Sequence, residues 1–157
     1  MRSILDRIYT LSGAFAGALI LGITLIIMAQ IVGRWFGIVI PSTDDFSGFM
    51  LAASSFLGLA YTFKAGGHIR VSLVIQRLPA RYRKVQEFFV LIIAALLAIF
   101  MSWYLWNMVY ESYVFEELSV GYIPVPLWIP QLPVSIGCSL FTLAIIDELA
   151  SVSIGNR

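Results

Sequence analysis

The groups in this chain whose chemistry could extend beyond packing are few. There is one histidine, His68, one cysteine, Cys138, and there are acidic pairs at Asp44 and Asp45, Glu116 and Glu117, and Asp147 and Glu148. A lone cysteine in an apolar context excludes an internal disulfide and any multi-cysteine metal or redox motif. His68 lies far from Cys138 in sequence, no glycine-rich nucleotide loop or metal-ligand cluster is present, and no Ser/His/Asp spacing suggests an activated nucleophile. The expectation is therefore a protein that is not an enzyme, with no catalytic, cofactor or metal residues. Asp44 and Asp45 admit two readings. Ser42 or Thr43 would cap a helix whose first turn holds both carboxylates beside the exposed amides, or the pair would meet a partner or an ion. Gln30 and Asn107 stand within or near apolar segments, where they would bond across helices or touch a solute.

The elements that must position these groups follow from the composition. Of 157 residues, 60% are hydrophobic and 12% charged, against about 45–50% and about 25% in a soluble domain. The excess apolar surface calls for lipid. A net charge of +1 is too weak for a general nucleic-acid surface. Uncharged runs cover residues 8–33, 46–63, 88–110 and 118–146, and a bilayer needs about 20 helical residues. The last run carries Pro124, Pro126, Pro130 and Pro133 in its first half, so its helix must start late. The fold class expected is all-α: an integral membrane protein forming one membrane domain over residues 1–157, with four transmembrane helices at about 8–33, 44–64, 87–110 and 129–149. The first apolar core is too long for a signal peptide, and no clear small-residue cleavage motif follows it.

Charge sets the expected orientation. Arg2 and Arg7 flank the first helix, and the second connection holds Lys64, Arg70, Arg77, Arg81, Arg83 and Lys84 against Glu87 alone. Such a basic excess belongs on the cytoplasmic side. The first connection sets Arg34 against Asp44 and Asp45, and the third contains Glu111, Glu116 and Glu117 without a basic residue. Both are expected outside, and an even helix count then puts both termini inside. Trp35, Trp103, Trp106, Tyr110 and Trp128 are candidate interfacial anchors, with Trp103 and Trp106 able instead to face another helix. Small residues mark possible packing seams: Gly13, Gly17 and Gly22 in the first helix, Gly48, Ala52, Ser54 and Gly58 in the second, Ala94, Ala98 and Ser102 in the third.

The second connection, FKAGGHIRVSLVIQRLPARYRKVQEF, is the most distinctive segment. Gly66 and Gly67 permit a turn. Apolar residues from Ile69 to Leu78 alternate imperfectly with Arg70 and Arg77, which suits a short amphipathic segment lying in the membrane interface. Beyond Pro79, Arg81, Arg83 and Lys84 would meet anionic headgroups. Lipid positioning alone and a combined lipid and protein-docking face both remain open.

Gly58 within FLGLAYTFKAGG, GGHIRV at Gly66–Val71, LVIQRLP at Leu73–Pro79 and GYIPVPLWIPQLPVSIG at Gly121–Gly137 together resemble the DctQ-like small membrane subunit of tripartite ATP-independent periplasmic (TRAP) transporters. The acidic pair Asp44 and Asp45 also resembles the family, whereas Ser72 stands where the family commonly has an aspartate. The resemblance implies a multi-pass protein of a bacterial or archaeal cytoplasmic (inner) membrane. Its implied partners are a large multispanning membrane subunit, which carries the transport pathway, membrane lipid, and, through the complex, a periplasmic solute-binding protein. The small subunit would stabilise and anchor the large one during uptake of an organic acid. No cofactor is implied for this subunit, the sodium gradient being used by the complete transporter. The suspected partner or lipid interface comprises Asp44, Asp45, Gly58, Gly66, Gly67, His68, Arg70, Arg77 and Arg81. Gly121, Pro124, Pro126, Trp128, Pro130, Gln131 and Pro133 would shape the outer approach to the fourth helix. An autonomous oligomeric carrier and a structural tetraspan of some other complex are the alternatives.

Overall fold

The computed structural model describes residues 2–65 and 80–153, which form four helices: α1 (Arg2–Trp35), α2 (Thr43–Lys64), α3 (Ala80–Val114) and α4 (Trp128–Ser153). Each contains a stretch long and apolar enough to cross a membrane: Leu5–Trp35, Thr43–Lys64, Phe88–Val114 and Trp128–Val152. Gly66, Gly67, His68, Arg70 and Arg77, and with them the expected interfacial segment, lie outside the described residues. Arg81 belongs to the first turn of α3. The helices run beyond the uncharged runs, because charged residues such as Arg2 and Arg83 are good helix formers that end a span without ending a helix.

Chain order is not packing order. α1 packs on α2, α2 on α4, and α4 on α3. α4 is accordingly the most enclosed span, with 39% of its apolar window buried inside the protein, against 6% for α1. Leu11, Leu21, Leu25 and Met28 of α1, like Leu96, Leu97 and Phe100 of α3, face outward. In water this would be an untenable surface; in lipid it is the expected one, since tails are as apolar as leucine.

With no hydrophobic drive between helices, the layer depends on close fit and polar contacts. The tightest approach is at Gly137 of α4, where a Cβ would come within 2.5–2.7 Å of the Phe56 and Leu57 backbone of α2. Only a glycine lets the two backbones meet there. Gly13 likewise faces the Tyr61 ring of α2 and Gly22 the Met50 side chain, whereas Gly17 and Gly48 open onto empty space. These four glycines of α1 and α2 thus divide between the α1–α2 seam and the outer surface. Deeper contacts form two clusters: Leu91, Ala95 and Ala98 of α3 with Ile145 of α4, and Tyr9 of α1 with Ala60 of α2 and Ala144 of α4.

Between α3 and α4 polar contacts add to this apolar packing. Thr142 donates to the Ala98 carbonyl at 3.1 Å and to the Cys138 carbonyl at 2.9 Å, and lies 3.1 Å from the Ser102 hydroxyl, oxygen to oxygen. Ser135 donates to the Leu105 carbonyl at 3.2 Å, and the Trp106 indole donates to Ser139 at 3.0 Å. Trp106 therefore faces another helix, while Trp103 is exposed as an anchor would be. Pro133 sits inside α4 near its start, and the amide it lacks would have met the Ile129 carbonyl.

Candidate functional site

The polar groups with most capacity for specific contact gather at the two ends of the helix layer. At one end, the α1–α2 connection, the start of α2 and the α3–α4 connection meet. Ser42 has left-handed backbone angles (φ 56°) and makes no side-chain cap to α2. Its hydroxyl instead accepts the Ile123 amide at 2.8 Å, tying the start of α2 to the distant loop before α4. Thr43 turns back as well, donating to the Ile40 carbonyl at 2.9 Å. Neither residue caps α2 with its side chain, which corrects that expectation; the competing bonds to the loops take both hydroxyls. Asp44 and Asp45 do lie in the first turn of α2, the favourable place for negative charge.

The α3–α4 connection is a narrow loop closed on itself. Leu118 and Pro126 form an isolated antiparallel bridge, Ser119 and Val125 are joined through a backbone bond of 2.9 Å and a side-chain bond of 3.0 Å, and the Leu127 amide reaches the Glu117 carbonyl at 2.9 Å. Ser112, fully buried, donates to Glu117 at 2.7 Å and anchors the loop to α3. Trp128 meets the Tyr113 ring edge-on at 5.8 Å between centroids. Gly121 lies directly under the Asp45 carboxylate: a Cβ there would stand 2.9 Å from its carboxyl carbon and 3.5 Å from the Ser42 hydroxyl. Two sets of suspected residues, far apart in the chain, are thereby brought together. Beside them is an open hollow of about 510 Å³, bounded by Gln30, Ile40, Ser42, Asp44, Asp45 and Tyr122 among others. Pro130 and Gln131 occupy the first turn of α4, and the Gln131 side-chain oxygen is buried without a hydrogen-bond partner among the described residues. Gly58 is at the other seam, 3.8 Å from the Ala16 methyl for a Cβ placed on it.

The opposite end holds contacts that sequence reasoning missed. Lys64, the last residue of α2, pairs with Asp147 of α4, their side chains 26% and 20% exposed. The Lys64 ammonium also lies 5.8 Å from the centroid of the Tyr9 ring, within cation–π range. Tyr9 is 2% exposed, and its hydroxyl has no hydrogen-bond partner among the described residues. One basic, one acidic and one aromatic residue thus join three helices. The available signal was two opposite charges closing apolar runs that end on the same side.

No group of three or more His, Cys, Asp or Glu able to hold a metal occurs among the described residues. The arrangement defines a multi-pass membrane protein whose polar contacts join helices and loops to one another. Residues 23–154 match the family described as tripartite ATP-independent periplasmic transporters, DctQ component, and the chain belongs to that family. It is a small permease subunit of a TRAP transporter, a transport component and not an enzyme. No curated protein matches the chain.

Proposed function

We propose that this subunit stabilises and anchors the large multispanning subunit of its transporter in the inner membrane, for ion-gradient-driven uptake of an organic acid delivered by a periplasmic binding protein. The observation that carries this reading is family membership across residues 23–154, in a chain with four apolar helices. The large subunit provides the transport pathway, and this chain provides a fixed helix layer beside it. Both termini lie in the cytoplasm with the connection from Gly66 to Arg83, in keeping with the basic residues concentrated there. Ile69–Leu78 rests in the membrane interface, His68 and Arg70 organise the cytoplasmic connection, and Arg77 and Arg81 hold it to headgroups. On the periplasmic side, the clasp of Ser42, Asp45 and Gly121 fixes the approach to α4, with Pro124, Pro126, Trp128, Pro130 and Pro133 shaping the same turn.

Mild membrane extraction followed by mass analysis tests the central claim. Stable co-purification with one large multispanning protein, and transport in vesicles only when that protein and a binding protein are both supplied, is the expected result. Transport by this polypeptide alone would establish an autonomous carrier instead. Normal assembly and transport in complexes carrying His68→Ala and Arg70→Ala would remove the docking role of that pair. External accessibility of a neutral reporter placed between residues 66 and 83 in intact cells would reverse the topology.

A further inference from the structure

α3 turns one face to α4 and the opposite face outward. Ala98, Val109 and Ser112 are buried on the inner face. Asn107 is two residues from both Leu105 and Val109, about 200° round the helix from each, and is exposed. It stands in an outward row with Ile93, Leu96, Phe100, Trp103 and Tyr110, all exposed, at alternating separations of three and four residues. Any straight helix presents such rows. What distinguishes this one is the carboxamide in it.

Within the same span, Ser102, Trp106 and Ser112 each hydrogen-bond inside the protein. Asn107 has no hydrogen bond among the described residues. The span Phe88–Val114 has 27 residues, or about 40 Å of helix, against about 30 Å of hydrocarbon. Asn107, about 10 Å from the Val114 end, is then about 5 Å inside the hydrocarbon boundary. Its side chain is too short to reach water from there, unlike lysine or arginine. Lipid tails offer it nothing to bond. A neighbouring helix does, and a single polar residue in an apolar seam of this spacing is a known means of fixing register.

We propose that the outward face of α3, centred on Asn107, is the docking surface for a transmembrane helix of the large membrane subunit, with Asn107 hydrogen-bonded across the contact and setting its register. This rests on the proposed role beside that subunit. Charge decides between that occupant and a second copy of this chain. Two copies share one orientation in the membrane, so pairing along this face would set the exposed Glu111 against Glu111, one turn beyond Asn107. A helix of a different subunit carries no such penalty.

The test uses the intact complex in native membranes, with the photo-crosslinker benzoylphenylalanine placed at Trp103 or Tyr110 of α3 and at Leu21 or Leu25 of α1. Adducts with the large subunit from the α3 positions, and lipid adducts alone from α1, are expected. Asn107→Leu should lower recovery of the large subunit by about 3- to 20-fold, the range for one interhelical hydrogen bond, while leaving the thermal unfolding of the isolated small subunit unmoved; Asn107→Gln should recover more than Asn107→Leu. Large-subunit adducts from α1 alone, or lipid adducts alone from α3 in a wild-type complex that still co-purifies, would overturn the α3 face and leave the subunit role standing. An adduct of twice this chain's mass from α3 would replace the occupant with a second copy. Failure of the wild-type chain to co-purify with any large subunit overturns both.

Discussion

Removing either partner of the Lys64–Asp147 pair should weaken the helix layer, and by unequal amounts. The side chains are 26% and 20% exposed, between a surface pair, worth about 0–1 kcal/mol, and a buried pair, whose disruption costs about 3–5 kcal/mol. A single isosteric change is therefore expected to cost about 1–3 kcal/mol. Lys64→Met strands a carboxylate on a short side chain beside the Tyr9 ring. Asp147→Asn leaves an ammonium on a long stem at the very end of α2, free to move toward the headgroups while keeping part of its contact with the ring. Lys64→Met should thus be the more damaging. A double-mutant cycle isolates the pair: measured by reversible unfolding in bicelles, Lys64→Met with Asp147→Asn should cost less than the sum of the singles, by about 1 kcal/mol or more. Additive singles would refute the claim that the pair holds α2 to α4. So would a larger loss from Asp147→Asn than from Lys64→Met, because the asymmetry follows directly from the reach of the two side chains.

Gly137→Ala should destabilise the subunit by about 1–3 kcal/mol through overpacking, because its Cβ meets fixed backbone of α2, while Gly17→Ala and Gly48→Ala, which meet nothing, should be neutral or slightly stabilising in the same unfolding measurement. Gly121→Ala meets the far end of the Asp45 side chain, which can rotate away, so it should cost less than Gly137→Ala; combined with Asp45→Ala the loss should largely disappear. Ser42→Ala removes the acceptor of the Ile123 amide and should cost about 0.5–1.5 kcal/mol, with faster proteolysis of the 118–127 loop as its local readout.

The helix count was legible because charge is excluded from hydrocarbon, and the runs 8–33, 46–63, 88–110 and 118–146 carry that exclusion openly. Packing order was not. Gly13, Gly17 and Gly22 look alike in sequence, yet two face α2 and one faces outward, since a residue's type does not report which side of a helix its neighbour takes. Asp44 and Asp45 were legible as first-turn acids, but the contact of Asp45 with Gly121 joins segments that only folding brings together. Ser42 was misread for a physical reason: a capping serine keeps extended backbone angles, and its left-handed conformation turned the hydroxyl to Ile123. The pairing of Asp147 was not legible because its partner comes from the end of α2, far along the chain.

Three polar contacts, the Lys64 pair, the Thr142 ladder and the Ser42 clasp, all act on α4 or on the loop leading into it, whereas α1 touches none of them except through Tyr9. Tyr9 is thus the residue through which α1 reaches α4 as well as α2, packed against Ala60 and Ala144. Its ring and its hydroxyl should separate cleanly on mutation. The hydroxyl is buried without a partner among the described residues, so Tyr9→Phe keeps the shape and removes an unsatisfied group, and should be neutral or stabilising. Tyr9→Ala leaves a void and withdraws the ring from Lys64, at a cost of about 3 kcal/mol. Because α2, α4 and α3 hold one another without α1, the loss should be local: a disulfide between cysteines introduced at Gly13 and Tyr61 should form less readily in the Tyr9→Ala protein, while one between Ser102 and Cys138, replacing the first residue by cysteine, should form as before. Equal loss of both would mean that α1 is integral to the layer, and that Tyr9 does not mark a separable attachment.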